Sequence, residues 1–376
     1  MFGCSVDTDG VRHRSVNTLS MMASMLCSFL LLSILFSVGS EAAEVDQFSR
    51  DESVVLSDSR DALNAEVERR IHKAVERANR KPMHLRPKKL QPRPWKACSP
   101  KRLFQKLQES LARPLIGQVE SYAEAADAVD RYHVAFEESV YREFNWIDSP
   151  SLVLSERVAA VVRLGNVELG TDKFGHFFTE GYRYYIETAG MTRPLKHAFL
   201  FGEWTESVYF GAQTTGVYSF ADLVANFQGL RFWNRVLGDA PDPLTGKATS
   251  PYIACDGERW VIQEAFDWTE YVDPAWDESV NCSLFRHEDL LAEVLNHAPQ
   301  CQPRQLPWRR YGELAPRLFN QHGLGVMPEY LQPEVILLQM APEETTDARV
   351  DWVRTVRQDL ETWRTRQRTS SHVKEP

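Results

Sequence analysis

Two short segments carry the main pattern of this chain, and the first reads Gly170-Thr171-Asp172-Lys173-Phe174-Gly175-His176-Phe177-Phe178-Thr179-Glu180. Thr171 stands where a helix cap is expected, so this pattern predicts a helix over 172–188. Side chains four residues apart lie on one face of a helix, which places Asp172, His176 and Glu180 on one ridge. A histidine between two carboxylates has its protonated form favoured, which suits a general acid. The same ridge is also typical of the water-facing side of an amphipathic helix.

The second segment reads Ser219-Phe220-Ala221-Asp222-Leu223-Val224-Ala225-Asn226-Phe227-Gln228-Gly229. Ser219 and Asp222 have the spacing of a capping box, which predicts a helix over 219–237 and gives Asp222 a structural role at its start. Asn226 has no such local role, and an amide among apolar residues needs a partner inside the fold. Gly175 and Gly229 would each allow another backbone to approach closely.

Between these segments lies an apolar stretch, 195–213, that carries Glu203 and Glu206. It predicts a helix that is buried on more than one face. A carboxylate on such a helix is either paired or has a shifted pKa. We therefore expect at least one of these two glutamates to point into a polar cavity.

The order of these residues resembles a pattern of VanZ-like and YfiM-like bacterial envelope proteins: Asp-Lys-x-x-His, then a glutamate, then Ser-x-x-Asp-x-x-x-Asn-x-x-Gly. In this chain the matching residues are Asp172, Lys173, His176, Glu206, Ser219, Asp222, Asn226 and Gly229. Those families have been grouped with lipid-headgroup enzymes in a superfamily that places a polar site inside a cone of helices. The resemblance covers about residues 165–235. It implies an exported cell-envelope hydrolase or transferase that acts on phosphoester-linked lipid or lipid-carried headgroups by acid–base catalysis.

The resemblance also implies roles for the individual residues. His176 would be the acid–base group with Asp172 as its orienting partner, and Glu206 would activate water or an alcohol. Lys173 and Asn226 would hold phosphate oxygens, with Asp222 and Glu203 as further substrate-binding residues. Glu203 competes with Glu206 for the glutamate position of the pattern.

A divalent metal is a separate interpretation of the same residues. Asp172, His176 and Glu206 are suitable ligands, and Asn226 would complete an oxygen-rich shell. Because the chain lacks a His-Glu-x-x-His helix, we favour metal-free chemistry, assign no metal ligand and leave the cofactor unknown.

The first forty residues have the features of an export signal. Arg12, His13 and Arg14 form a basic region, and an apolar run over 21–38 precedes the small residues Gly39 and Ser40. This pattern predicts a signal peptide or a retained N-terminal anchor, and hence a periplasmic or secreted protein. In such a compartment Cys98, Cys255, Cys282 and Cys301 are expected to form disulfides. Cys255 with Cys282 is the preferred pair, and a pairing with Cys301 is the alternative.

The charge of the chain is unevenly distributed. The net charge is −9, yet the segment from Arg69 to Arg102 holds thirteen Lys and Arg residues against one acidic residue. Its prolines predict an extended arm, and its charge predicts contact with an anionic lipid or membrane surface, while a solvated linker is the alternative. Nucleic acid is not expected as a partner of an exported protein with an acidic body, and the oligomeric state is left open.

Helical patterns dominate, so the predicted fold is mainly α: a helical bundle or cone with a loop-rich, disulfide-stapled C-terminal part. Predicted helices cover 62–79, 103–112, 121–144, 152–164, 287–297 and 349–366, in addition to those above, and Trp260–Ile262 is the best strand candidate. The predicted divisions are 1–40, the signal or anchor; 41–98, a charged helix and the basic Pro-rich arm; 99–341, the α-helical domain; and 342–376, a C-terminal helix and tail. The alternative function is a non-catalytic periplasmic envelope-binding protein with a degenerate site.

Overall fold

The computed structural model describes residues 44–51, 53–81, 96–112, 117–146, 149–208, 211, 215–279, 283–285 and 294. The described part of the chain is 47% helix and 12% strand, and its strands form small antiparallel sheets. The prediction of a mainly α bundle or cone is therefore wrong, because the described fold mixes helices and strands. The predicted N-terminal signal, the helix 349–366 and the arm over 82–95 lie outside the described residues, as does the helix 287–297 apart from Val294.

Eight α-helices are described: α1 (Arg60–Asn79), α2 (Pro100–Leu111), α3 (Gln118–Ala125), α4 (Pro150–Ser155), α5 (Asp172–Gly175), α6 (Gly181–Glu187), α7 (Lys196–Val208) and α8 (Phe220–Arg235). The described strands are β1 (Arg131–Tyr132), β2 (Val161–Leu164), β3 (Val167–Gly170), β4 (Val217–Tyr218), β5 (Ile253–Asp256), β6 (Arg259–Ile262) and β7 (Leu284–Phe285). A π-helical turn (His176–Glu180) joins α5 to α6. Among the described helices, none combines the length and apolar character that crossing a bilayer requires.

A three-stranded sheet replaces parts of two predicted helices. Its order is β1-β2-β3, and β2 and β3 form a hairpin that turns at Gly165 and Asn166. Gly165 has a φ of +62°, which suits a two-residue hairpin loop. The β-branched pair Val161 and Val162 favours a strand, so the predicted helix over 152–164 is wrong beyond α4.

The predicted helix over 121–144 ends early, at Ala125. The Arg131 guanidinium donates hydrogen bonds to the carbonyls of Ala123, Ala126 and Val129, which holds the chain as it leaves α3. Arg131 and Tyr132 then pair with β2. Pairing with a distant strand has overridden the local helix propensity.

Helix α1 belongs to the compact fold rather than to a separate N-terminal region. Its residues Leu63, Val67 and Ile71 are buried in the largest core cluster, together with Leu103 and Leu107 of α2. The compact part therefore begins well before the predicted boundary at Ser99. The low apolar content of α1 is sufficient because only one face of the helix is covered.

An aromatic core and a close helix contact fix the helix that follows β3. Phe177 packs 4.9 Å from Trp268, and Phe178 packs 5.4 Å from Phe232 of α8, measured between ring centroids. A Cβ at Gly229 would collide with the carbonyl oxygen of Phe177 and lie 2.8 Å from the Cα of Gly181. The predicted close approach at Gly229 is confirmed, and it sets α8 directly against the π-helical turn and α6.

One disulfide is described, and it joins Cys98 to Cys255 with a Cα–Cα distance of 5.8 Å. The preferred prediction, Cys255 with Cys282, is therefore wrong. The bond connects Cys98, which lies just before α2, to Cys255 of strand β5. These two parts of the chain meet only in the tertiary fold. Cys282 and Cys301 lie outside the described residues.

Candidate functional site

The helix after β3 contains the π-helical turn His176–Glu180, and this helix brings the first motif into the protein interior. Asp172 and Glu180 are buried, and the His176 side chain is 15% exposed. The ridge therefore does not face water. Thr171 precedes the helix but makes no side-chain cap; its hydroxyl instead donates to the Glu124 carboxylate. π-helical turns occur frequently at functional sites.

Lys173 is the centre of a buried ionic cluster. Its Nζ donates to Asp172 Oδ2 at 2.6 Å and to Glu278 Oε1 at 2.7 Å, and lies 2.6 Å from Asp222 Oδ1. Burial alone would lower the pKa of Lys173, but the surrounding carboxylates outweigh it and hold the pKa well above its usual value. Lys173 therefore neutralises carboxylates, rather than standing ready for the phosphate role that the resemblance implies.

Asp222, and not Asp172, is the carboxylate that holds His176. Asp222 Oδ2 lies 3.0 Å from His176 Nε2. Burial would raise the pKa of Asp222 and lower that of His176, but the attraction between the two groups reverses both shifts. Ser219 caps α8 by accepting a hydrogen bond from the Asp222 backbone N–H, whereas the Asp222 side chain turns toward the cluster. Asp222 therefore has more than the structural role predicted at the start of α8, because its side chain also contacts His176.

Asn226 contacts the other ring nitrogen of His176. One atom of its amide lies 3.2 Å from His176 Nδ1, 3.2 Å from the Asp222 carbonyl oxygen and 3.3 Å from the His176 carbonyl oxygen. Carbonyl oxygens can only accept hydrogen bonds, so we assign the NH2 group of the amide to this position. Nδ1 then accepts from Asn226, and Nε2 carries the proton that is donated to Asp222. The need of Asn226 for a partner inside the fold is confirmed.

Glu206 of α7 reaches the same cluster. It is 1% exposed, and its Oε1 accepts a hydrogen bond from the Ser219 backbone N–H at 2.9 Å. Burial, together with the negative charges of Asp222 and Glu44, raises its pKa well above the usual value. The expected glutamate in a polar interior is therefore Glu206. The side chain of Glu203 lies outside the described residues.

Two carboxylates of the cluster were missed by the sequence analysis. Glu278 accepts hydrogen bonds from Lys173, from the Ser219 hydroxyl at 2.7 Å and from the Ser283 hydroxyl at 3.1 Å. Glu44 is 4% exposed, and burial raises its pKa well above the usual value, with the charges of Asp222 and Glu278 adding to the shift. Neither residue has a local sequence signal, because each lies in an irregular segment far along the chain from the two motifs.

The resulting site has five carboxyl groups around one lysine and one histidine. Asp172 shares this crowding: burial raises its pKa to about 6, Lys173 opposes the shift and Asp222 adds to it. Within the described residues, two sets of three side chains have ligand atoms within 4.8 Å of one another: His176, Glu206 and Asp222, and Glu44, Asp172 and Asp222. The first set resembles the metal ligands considered from sequence, with Asp222 in place of Asp172.

Comparisons of the chain with protein-family models, with curated proteins and with solved structures found no match. The resemblance to VanZ-like and YfiM-like proteins therefore stays a prediction.

Proposed function

We propose that the protein is a hydrolase or transferase that acts on phosphoester-linked lipid or lipid-carried headgroups, with His176 as its general acid–base. One observation carries this proposal: His176 is fixed between Asp222 and Asn226 and is the most exposed member of an otherwise buried ionisable cluster. A histidine held in this way has a defined tautomer and a tuned pKa, which is what proton transfer near neutral pH requires.

The other residues support His176 in distinct ways. Asp222 stabilises the protonated ring, as the acidic partner of a catalytic histidine does. Proton uptake at Nδ1 requires the Asn226 amide to turn, because its NH2 group faces that nitrogen in the neutral ring. Glu206 is a second ionisable group of the cluster, and its burial raises its pKa well above the usual value. The lipid phosphoester substrate rests on the sequence resemblance.

The test is headgroup release from vesicles of phosphatidylethanolamine and phosphatidylglycerol, followed by 31P NMR. We expect His176→Asn to slow release by roughly 100-fold or more, the usual contribution of a general acid–base. His72→Asn is the matched control, since His72 is an exposed residue of α1. Equal turnover by the wild type and His176→Asn would contradict the role of His176, and no turnover by the wild type would contradict the substrate class.

A non-catalytic envelope-binding protein is the second candidate, and the position of Lys173 favours it. This lysine is fully buried, and its ammonium group is paired with the carboxylates of Asp172 and Glu278. Membrane contact would then fall to the basic segment. Part of the positive charge of the basic segment is neutralised within the fold, because Arg69 and Arg70 form ion pairs with Glu66.

The remaining basic residues of the arm provide a test of this second function. We expect the combined substitution of Arg86, Lys88, Lys89 and Arg93 by Gln to abolish co-sedimentation with phosphatidylglycerol vesicles. Neutral phosphatidylcholine vesicles are the control, and they should bind neither protein. Retained binding by the variant would count against the arm, and headgroup release by the wild type would count against a degenerate site.

A further inference from the structure

A buried set of carboxylates lies beside Lys173, and three of its members come from separate parts of the chain. Glu44 precedes α1, Asp172 begins α5 and Asp222 lies in the first turn of α8. Each offers a carboxylate oxygen within 4.8 Å of the other two. Three separate elements thus bring hard oxygen ligands to one point, which is how proteins hold Mg²⁺, Mn²⁺ or Ca²⁺.

Two oxygens of this set provide a second, independent observation. Glu44 Oε2 and Asp172 Oδ1 are buried, and within the described residues neither has a hydrogen-bond partner. Lys173 satisfies Asp172 through the opposite oxygen, Oδ2. Buried carboxylate oxygens are normally hydrogen-bonded or bound to a metal. Because the described side chains supply no partner for these two oxygens, we expect a ligand from outside the protein to bind them.

Glu44 is held firmly in this position. The Glu44 carbonyl accepts a hydrogen bond from the Ala159 N–H at 2.8 Å, and the Tyr141 hydroxyl donates to the Val45 carbonyl at 2.6 Å. The Asp46 carboxylate accepts from the backbone N–H groups of Phe48 and Val140, each at 2.8 Å. The segment that carries Glu44 is therefore built into the fold, and the buried Glu44 side chain enters the cluster from it.

We propose that Glu44, Asp172 and Asp222 bind one hard divalent cation, of the Mg²⁺ or Mn²⁺ type, next to Lys173. A divalent cation at this point would satisfy the two unpartnered oxygens, Glu44 Oε2 and Asp172 Oδ1, and would balance the negative charge of the carboxylates that bind it. This inference deepens the proposed function. The role of the cation in the reaction rests on that function, whereas the binding of the cation does not. An acidic cluster repels a phosphoester, and a bound cation would supply the positive charge that attracts its oxygens.

The experiment is a titration of the EDTA-treated, dialysed full chain with Mn²⁺, read by the EPR signal of free Mn²⁺. We expect one Mn²⁺ per wild-type chain, and at least a tenfold weaker affinity in Glu44→Gln. Asp242→Asn is the matched control, because Asp242 is a buried carboxylate that pairs with Arg231 instead. It should bind Mn²⁺ as the wild type does.

Glu44→Gln keeps the size of the side chain and removes one carboxyl group from an acidic cluster, so we expect it to fold, and circular dichroism checks this. Thermal unfolding is the second measurement: Mn²⁺ should raise the melting temperature of the wild type and of Asp242→Asn, but not that of Glu44→Gln. Absence of binding by the wild type at millimolar Mn²⁺, or equal affinity in Glu44→Gln, would overturn the proposal.

Headgroup release, measured with Mn²⁺ and with EDTA, separates the two proposals. Mn²⁺ binding without release would refute the lipid phosphoester function and leave the cation site standing. Release that is unchanged in EDTA, from a chain that binds no Mn²⁺, would refute the cation site and leave the function standing.

Discussion

Asp222 Oδ2 lies 3.0 Å from His176 Nε2, while the other oxygen of the same carboxylate lies 2.6 Å from Lys173 Nζ. One carboxylate thus contacts both cationic side chains of the cluster. The ion pairs of Lys173 and the orientation of His176 are consequently coupled, and a change at either cation is expected to reach the other.

Lys173→Met is expected to destabilise the protein strongly at neutral pH, by about 3–5 kcal/mol, because it leaves buried carboxylates without their cation. Urea unfolding at pH 7 measures this loss. Lys247→Met is the control, since Lys247 is exposed and should tolerate the change. A stability close to that of the wild type would show that Lys173 does not neutralise the cluster.

Glu206 predicts a dependence of stability on pH. Its pKa in the fold is raised well above the unfolded value, so the folded state holds a proton that the unfolded state releases. Stability therefore falls as the pH rises from the unfolded pKa, about 4.3, toward the folded pKa.

Glu206→Gln removes this titration, while its side-chain oxygen can still accept from the Ser219 N–H. We expect the difference in urea midpoint between pH 5 and pH 8 to be smaller in this variant than in the wild type. Exposed Glu258→Gln serves as control and should retain the full difference. An unchanged pH dependence in Glu206→Gln would mean that Glu206 titrates normally.

Cys98→Ser is expected to lower the free energy of unfolding by about 2–5 kcal/mol, because the bond to Cys255 closes a long loop of the unfolded chain. Denaturant titration measures the loss, and mass spectrometry of non-reduced peptides identifies the pair directly. Cross-linked peptides that join Cys255 to Cys282 would refute the described connectivity.

Gly229→Ala is expected to destabilise the protein by about 1–3 kcal/mol, since the new methyl group would overlap the Phe177 carbonyl and force α8 away from the π-helical turn. Thermal unfolding measures the change. A neutral or stabilising effect, as expected for Gly→Ala in an ordinary helix, would contradict the close packing of these helices.

The sequence was informative where a local pattern decided the structure. The spacing of Asp172, His176 and Asn226 predicted α5 and α8, although it left open whether the first ridge faces water, and the apolar surroundings of Glu206 correctly indicated a buried carboxylate. The strand Trp260–Ile262 was confirmed for the same reason, as part of β6.

Prediction from the sequence failed where long-range contacts decided the structure. Arg131 and Tyr132 lie in a helical pattern but pair with β2, and Cys98 meets Cys255 only through the tertiary fold. Glu44 and Glu278 join the cluster from irregular segments that have no periodicity to analyse. The hairpin of β2 and β3 was within reach of sequence reasoning, because Gly165 and Asn166 between two runs of alternating apolar residues are a hairpin signal.

The central claim is that His176 is an acid–base group whose protonation is controlled by Asp222, and NMR titration of the imidazole tests it most directly. Asp222 raises the pKa of His176 above its ordinary value of 6.5, so wild-type His176 should titrate above that value. In folded Asp222→Asn the pKa of His176 should fall, because burial then acts without the opposing carboxylate. A His176 that does not titrate, or whose pKa is the same in both proteins, would contradict the account.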